Sequence, residues 1–252
     1  AYQTWSKNPD SIQLHTPAMD RLARLGVRFT DAHTPSSRCS PTRYTLMTGR
    51  YCWRTSLKHW VLFGALCDPL IERARVTLPE FLQQAGYRTG MVGKWHLGFT
   101  HRRSDGTPAK GWDDADLRQP IADGPLDHGF DFFYGMSRSH GGAGPDGQKA
   151  NTPTQNAGPG WIEGCRVLGA TAHGKQLDGS YRHHEVGQVV DREAFRFLRE
   201  AAGKPAPFFL YFASPSNHSP YTPSAQIGEV PVAGASRFVD GRPTGSARLD
   251  FI

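Results

Sequence analysis

The sequence predicts an α/β fold with a mostly parallel sheet flanked by helices. Three observations carry this. A helical pattern is followed by an extended apolar run three times along the 252 residues, the alternation that puts helices on the faces of a sheet. The last of these runs, FFLYFA at 208–213, is apolar without in–out alternation, which marks a strand buried on both faces. The 28 glycines and 19 prolines predict long connections around a modest core, with 38% of residues hydrophobic.

The elements follow in order. In HTPAMDRLARLGVRF (15–29), Thr16 can cap a helix and Pro17 suits its first turn. Met19, Leu22 and Leu25 share one face, Gly26 can end the helix, and VRFTDAH (27–33) is expected to be extended. In CSPTRYTLMTG (39–49), Pro41 is tolerated only near a helix start and Gly49 suits its end. Thr77 and Glu80 form a T-x-x-E capping box ahead of a stripe of Leu78, Phe81, Leu82 and Ala85, with Gly86 as the stop and YRTGMVG (87–93) as the strand. Residues 100–182 are glycine-rich without a clear period and read as long loops and short pieces. A helix over 185–202 turns Val186, Val190, Phe197 and Leu198 inward and ends at Gly203. The whole of 1–252 is expected to form part of one domain.

Net charge is +6, which fits a solvated basic surface or a preference for anions. No dense Lys/Arg block and no interleaving of aromatic with basic residues points to nucleic acid. No run of about 18 apolar residues is present, so no membrane span is expected. The first residues, AYQTWSKNPD, show neither the charged nor the apolar region of a signal peptide and no initiator Met, so a mature or truncated form is expected. The four cysteines form no C-x-x-C pair, against a zinc ribbon or a thioredoxin-type motif.

Ligands of open α/β sheets gather beyond the carboxyl ends of strands. That directs attention to the Cys39 segment, to GKWHLG after Val92 and to SPSNHSP after Ala213. Cys39 is placed at a helix N-terminus, where partial positive charge stabilises anions and activates a nucleophile. Arg43 lies about one turn further on the same face, where a guanidinium can hold an anion. Taken alone, the segment fits equally a buried structural thiol with a surface arginine. Lys94 and His96, two apart, would face one side of an extended segment and Trp95 the other; alone, the pair also fits a surface lysine and a packed histidine. His218 follows the apolar strand. Asn217-His218-Ser219 also reads as a glycosylation sequon, a reading set aside because a sugar there would block the pocket. Asp113, Asp114 and Asp116 read as a solvated acidic loop. His183, His184 and Glu185 open or precede a helix and take no functional role.

C-x-P-x-R, here Cys39, Pro41 and Arg43, followed by LMTGRY (46–51), resembles the type I sulfatase signature. GYRTGMVGKWHLG (86–98) is similar to the family's second signature, and 15–33, HGFDFFYG (128–135) and PFFLYFAS (207–214) look like its connecting text, in order. The resemblance implies an alkaline-phosphatase-like sulfatase fold, incomplete at both ends. It implies hydrolysis of sulfate esters on a sulfated small molecule or sulfated glycan. A formylglycine-generating enzyme would convert Cys39 to formylglycine, which binds a divalent metal, usually calcium (Ca2+), and supplies the nucleophile. Arg43 and Lys94 would stabilise the sulfuryl oxygens, and His218 with Lys94 would assist the leaving alcohol. His96 would help regenerate the aldehyde. Lys94, His218 and Ser139 would bind substrate, with His140 lining the site.

The family's metal-holding carboxylates match nothing before Cys39, and the later set would lie beyond Ile252. An internal fragment of a longer enzyme is therefore expected, binding metal poorly and turning over little by itself. Two other readings stay open: a phosphonate monoester or phosphodiester hydrolase of the same superfamily, and an inactive sulfatase-like domain that binds sulfated polymers. The resemblance implies a periplasmic or extracellular location. With Cys39 modified, Cys52, Cys67 and Cys165 leave an odd count, so at least one is free or pairs outside the chain.

Overall fold

The computed structural model describes residues 16–62, 68–110, 114–138, 160–168, 182–219 and 221–251. Its axis is strand β1 (Arg88–Lys94), buried from Thr89 onward. On one side β1 pairs in parallel with β2 (Phe132–Met136), in a register that sets Gly90 beside Phe132 and Lys94 beside Met136. On the other it pairs in parallel with β5 (Phe208–Ala213), from Arg88 beside Phe208 to Gly93 beside Ala213. Two short strands, β3 (Ile162–Glu163) and β4 (Arg166–Val167), continue the sheet antiparallel beyond β2. The order is β4-β3-β2-β1-β5. The sheet is thus mixed, with parallel pairing among its three long strands.

Alternation along β1 divides the core into two layers. Met91 points into a cluster with Tyr44 and Met47 of α2 (Cys39–Thr48) and with Trp95, Phe99, Phe130 and Phe133. Val92 points the other way, into a cluster with Val186, Val190 and Ala194 of α4 (Val186–Ala202) and with Tyr134, Met136 and Trp161. Phe197 of α4 lies over Gly90 so closely that a Cβ there would come within 2.5 Å of the ring. This glycine lets the longest helix seat on the sheet. Arg196 ties α4 to the sheet through Glu163 at 2.7 Å.

Several expectations held. α2 begins at Cys39 and ends in a left-handed Gly49. The capping box of α3 (Leu78–Gln84) is formed in both directions, with Glu80 accepting from the Thr77 N–H at 2.7 Å. α4 buries Val186, Val190 and Phe197 and reaches Gly203, with Leu198 only partly buried. The 183–185 turn precedes α4.

Others need correction. α1 (Pro17–Leu25) buries none of its residues, and Leu22 is 72% exposed, because none of the described residues packs on its apolar face. Thr16 makes no side-chain cap there. Residues 27–33 form no strand and are exposed. The α3 stripe is mostly open, with Phe81 exposed and Leu78 and Leu82 half-buried. This short helix is held at its ends instead: Thr77 Oγ1 donates to the His128 carbonyl at 2.7 Å and Gln83 donates to Asp131 at 2.6 Å. β5 is not buried on both faces, since Phe208 and Phe212 are each 45% exposed. It is an edge strand, its outer side without a partner among the described residues. β2 was not anticipated as a strand. The acidic loop is not solvated at Asp116, which is buried, accepts from Arg118 at 2.9 Å and has its carboxyl held down to about 2 chiefly by that guanidinium. Asp113 lies outside the described residues, and Asp114 pairs with Arg103. A further buried carboxylate, Asp123, accepts two hydrogen bonds from Arg73 and one from Thr100.

The seat of α4 yields a prediction. Phe197→Ala should destabilise the protein by about 3–5 kcal/mol, measured by denaturant unfolding, because the ring fills the space that Gly90 leaves. A loss below about 1 kcal/mol would mean that α4 is held by its ion pairs and not by this contact.

Candidate active site

Three elements end at one place. β1 stops at Lys94, β5 stops at Ala213, and α2 starts at Cys39. Such a convergence lies at the carboxyl edge of the parallel strands. Close backbone approach makes it possible. Gly93 has φ +107°, and a Cβ on it would sit 2.3 Å from the Ala213 carbonyl oxygen. No other residue fits there without moving β5 away from β1.

Cys39 is the first residue of α2, half-buried, with a free thiol. The Lys94 ammonium hydrogen-bonds it. Lys94 is 2% exposed. Burial and, after it, the Arg43 charge bring its pKa down to about 8, with Cys39 opposing both. Arg43 bridges two strands: Nη1 donates to the Lys94 carbonyl and, at 3.2 Å, to the Tyr211 hydroxyl on β5.

His96 lies just past β1 with φ +59°, a conformation rare outside glycine and met mostly where the surroundings demand it. Strand alternation therefore does not place it. The left-handed turn brings it beside Lys94, whose charge helps to lower its pKa. Burial is the larger cause, and together they bring it to about 3. Its Nε2 donates to the Leu62 carbonyl at 3.0 Å. That fixes the neutral ring's tautomer and leaves Nδ1, which has no hydrogen-bond partner among the described residues, as an acceptor. Trp95 points into the core and donates to the Gly98 carbonyl at 2.9 Å.

His218, after β5, is exposed, and its Nδ1 donates to the Ser219 carbonyl at 2.7 Å. Partial burial lowers its pKa, and the charges of Lys94, Arg138 and Arg43 add to this. Of the six residues expected from sequence, five thus share one pocket: Cys39, Arg43, Lys94, His96 and His218. Ser139, with His140 beside it, lies outside the described residues. Sequence reasoning missed Tyr211 and Arg138. Tyr211 sits in an aromatic strand where nothing distinguishes it. Arg138 precedes Ser139 in SRSHGG, so the segment was singled out but not this residue.

The pocket combines a nucleophile at a helix start with the buried Lys94 and the half-buried Arg43, which suits an oxyanion. It does not suit a divalent metal. Such ions take oxygen ligands, several of them carboxylates, and no group of three His, Cys, Asp or Glu among the described residues could hold one. Likewise, no described helix is long and apolar enough to cross a membrane.

The family model described as Sulfatase matches residues 2–234. Arylsulfatase G of Homo sapiens is 30% identical over 238 residues, covering 90% of this chain and 40% of its own length. N-acetylgalactosamine-6-sulfatase of Mus musculus is 29% identical over 223 residues, covering 84% of this chain and 37% of its own. Among solved structures, a sulfatase from Pseudoalteromonas sp. superposes with a TM-score of 0.63 at 23% identity, over 95% of this chain and 44% of its own. The chain therefore spans about two fifths of the length of these curated relatives.

Lys94 titrates where it can be tested. Its proton is needed to hold an anion and leaves at about pH 8 in the empty pocket. The affinity for inorganic sulfate, followed by calorimetric titration, should be flat below that pH and fall about tenfold per pH unit above it. Lys94→Met should bind more weakly at every pH and lose the break. A wild-type profile that stays level through pH 9 would show that the Lys94 proton plays no part.

Proposed function

The chain belongs to the sulfatase family, and from that premise we propose that it carries the nucleophile-bearing part of a sulfuric ester hydrolase. The observation that carries the reading is the Lys94 ammonium hydrogen-bonded to Cys39 at the start of α2, with Arg43 braced across β1 and β5. In this reading Cys39 is the residue converted to formylglycine by a separate maturation enzyme. Formylglycine supplies a hydrated aldehyde whose oxygen attacks sulfur. Its position beside a buried ammonium and a helix start is compatible with that role.

The chain's own residues then have distinct tasks. Lys94 and Arg43 face the sulfuryl oxygens and stabilise the charge that develops on them. Lys94, with a pKa of about 8, is poised near neutral pH to pass a proton to the departing alcohol. His218, on the exposed side, contacts that alcohol. His96 stays neutral at pH 7, so its Nδ1 accepts from and orients a hydroxyl at residue 39. The family resemblance also implies a divalent cation, calcium in most cases. The described residues do not fit it. We place its carboxylate ligands outside the described residues, and we expect the 252-residue chain alone to turn over little.

The substrate class in this reading is a sulfated small molecule or glycan, met in the periplasm or outside the cell. In the full-length enzyme, Cys39→Ala should lower kcat/KM on an aryl sulfate by at least about a thousandfold. Mass spectrometry of the wild-type peptide around Cys39 should show the aldehyde. Intact activity in Cys39→Ala would refute the scheme. Higher kcat/KM on an aryl phosphonate than on the aryl sulfate would reassign the atom attacked from sulfur to phosphorus.

A further inference from the structure

α2 borders a second concave surface besides the pocket. Cys39 and Arg43, four residues apart, serve the pocket, whereas Pro41 and Thr45, also four apart, line a groove of about 140 Å3 on another face of the helix. The opposite wall is the loop over 51–60. Cys52 anchors that loop in the core, and Thr55 Oγ1 donates to its carbonyl at 2.7 Å. Further on, Leu62 N–H donates to Ser40 Oγ at 3.2 Å, and the Leu62 carbonyl accepts from His96. Between these anchors three large rings face outward: Tyr51, Trp53 and Trp60 are each about half exposed.

The rings are arranged, not scattered. Tyr51 and Trp53 lie 17° from parallel with centroids 6.1 Å apart, an offset pair that makes one flat apolar surface. Trp60 has φ +71°, an outlier for a bulky residue that persists only where the surroundings over-determine it. Its ring carries the Arg38 guanidinium 3.8 Å from the centroid. Such stacking uses the face of a guanidinium and not its N–H rim. Lys58 adds a second cation, its ammonium donating to the Trp53 carbonyl at 3.2 Å. The described lining of the groove contains no Asp or Glu.

Resting on the sulfate-ester reading above, we infer that this groove binds an anionic sugar of a glycan chain, outside the pocket where the ester is cut. The apolar C–H face of the sugar packs on Tyr51 and Trp53, and its sulfate or carboxylate meets Arg38 and Lys58. The groove is smaller than the roughly 300 Å3 of an enclosing ligand pocket, so the chain lies across it. A helix with its side chains is about 10 Å across. A monosaccharide held at Cys39 therefore does not reach the groove. A longer chain does, passing the start of α2 where Arg38 adjoins Cys39. Aromatic surfaces flanked by cations also take single-stranded nucleic acid, but membership of the sulfatase family favours a sulfated glycan.

The test uses the full-length enzyme with Trp53→Ala and Arg38→Gln, both at exposed positions. In a Cys39→Ser background, calorimetry should show each variant binding a sulfated tetrasaccharide about twofold to tenfold more weakly. The desulfated tetrasaccharide should bind less tightly than the sulfated one. In the active enzyme, each variant should raise KM on the sulfated tetrasaccharide by a similar factor and leave kcat unchanged. On a sulfated monosaccharide and on an aryl sulfate, kcat/KM should stay as in the wild type.

Unchanged affinity for the tetrasaccharide in both variants, or an equal loss on the monosaccharide, would overturn the inference. So would tighter binding of a single-stranded oligonucleotide than of the sulfated tetrasaccharide. If the enzyme cleaves no sulfate ester, the hydrolase reading fails, and the calorimetry alone decides the groove.

Discussion

The structure turns on the burial of β1 along almost its whole length, ending in an ammonium group. A strand enclosed by parallel neighbours and by helical layers on both faces carries its last side chain into a dry environment. At Lys94 that is costly, because a charge taken out of water loses its hydration. The consequence is visible in the lowered Lys94 pKa, with burial the leading cause. A lysine whose folded pKa lies below its ordinary value binds its proton less readily in the fold than in the unfolded chain. Its charge therefore weighs against folding at neutral pH, and this weight lifts as pH rises from about 8 to the ordinary lysine value of 10.5. Cys39 offsets part of it, and an anion in the pocket would offset more.

The rest of the pocket adapts to that lysine. Gly93 lets the carboxyl ends of β1 and β5 come together. Arg43 locks them with a carbonyl on one strand and a hydroxyl on the other. A second cation this close to Lys94 raises the electrostatic stress, so the pocket is built to favour negative charge over a vacant state. His96 is kept neutral by the same field and by burial. That makes it a fixed acceptor where an ordinary histidine would change charge near pH 6.5.

The periphery shows a different balance. Buried carboxylates such as Asp116 and Asp123 are each matched to an arginine whose side chain is largely exposed, which anchors long connections without a large apolar core. The apolar faces of α1 and the outer side of β5 are open among the described residues. Edge strands and uncovered apolar faces attract partners or further chain. The described part of the pocket makes its hydrogen bonds instead among α2, β1, β5 and the segments beside them.

Much of this was legible beforehand. The α/β class, the start of α2 at Cys39, its end at Gly49, the Thr77–Glu80 box and the inward face of α4 all follow from local rules: proline and glycine geometry, capping hydrogen bonds and a 3.6-residue period. The pairing of C-x-P-x-R with GKWH pointed to the candidate residues before any coordinate. Tertiary packing decided what local rules do not reach. Leu22 and Phe81 satisfy a helical stripe, yet a stripe is buried only where another element covers it. FFLYFA reads as a central strand, but strand order is a property of the whole sheet, and here it falls at an edge. The sequence by itself determined which residues could do chemistry. Only the meeting of strand ends gave Lys94 its lowered pKa, turned His96 into a neutral acceptor and brought Arg138 and Tyr211 to the pocket, because desolvation and charge fields depend on neighbours far apart in the chain.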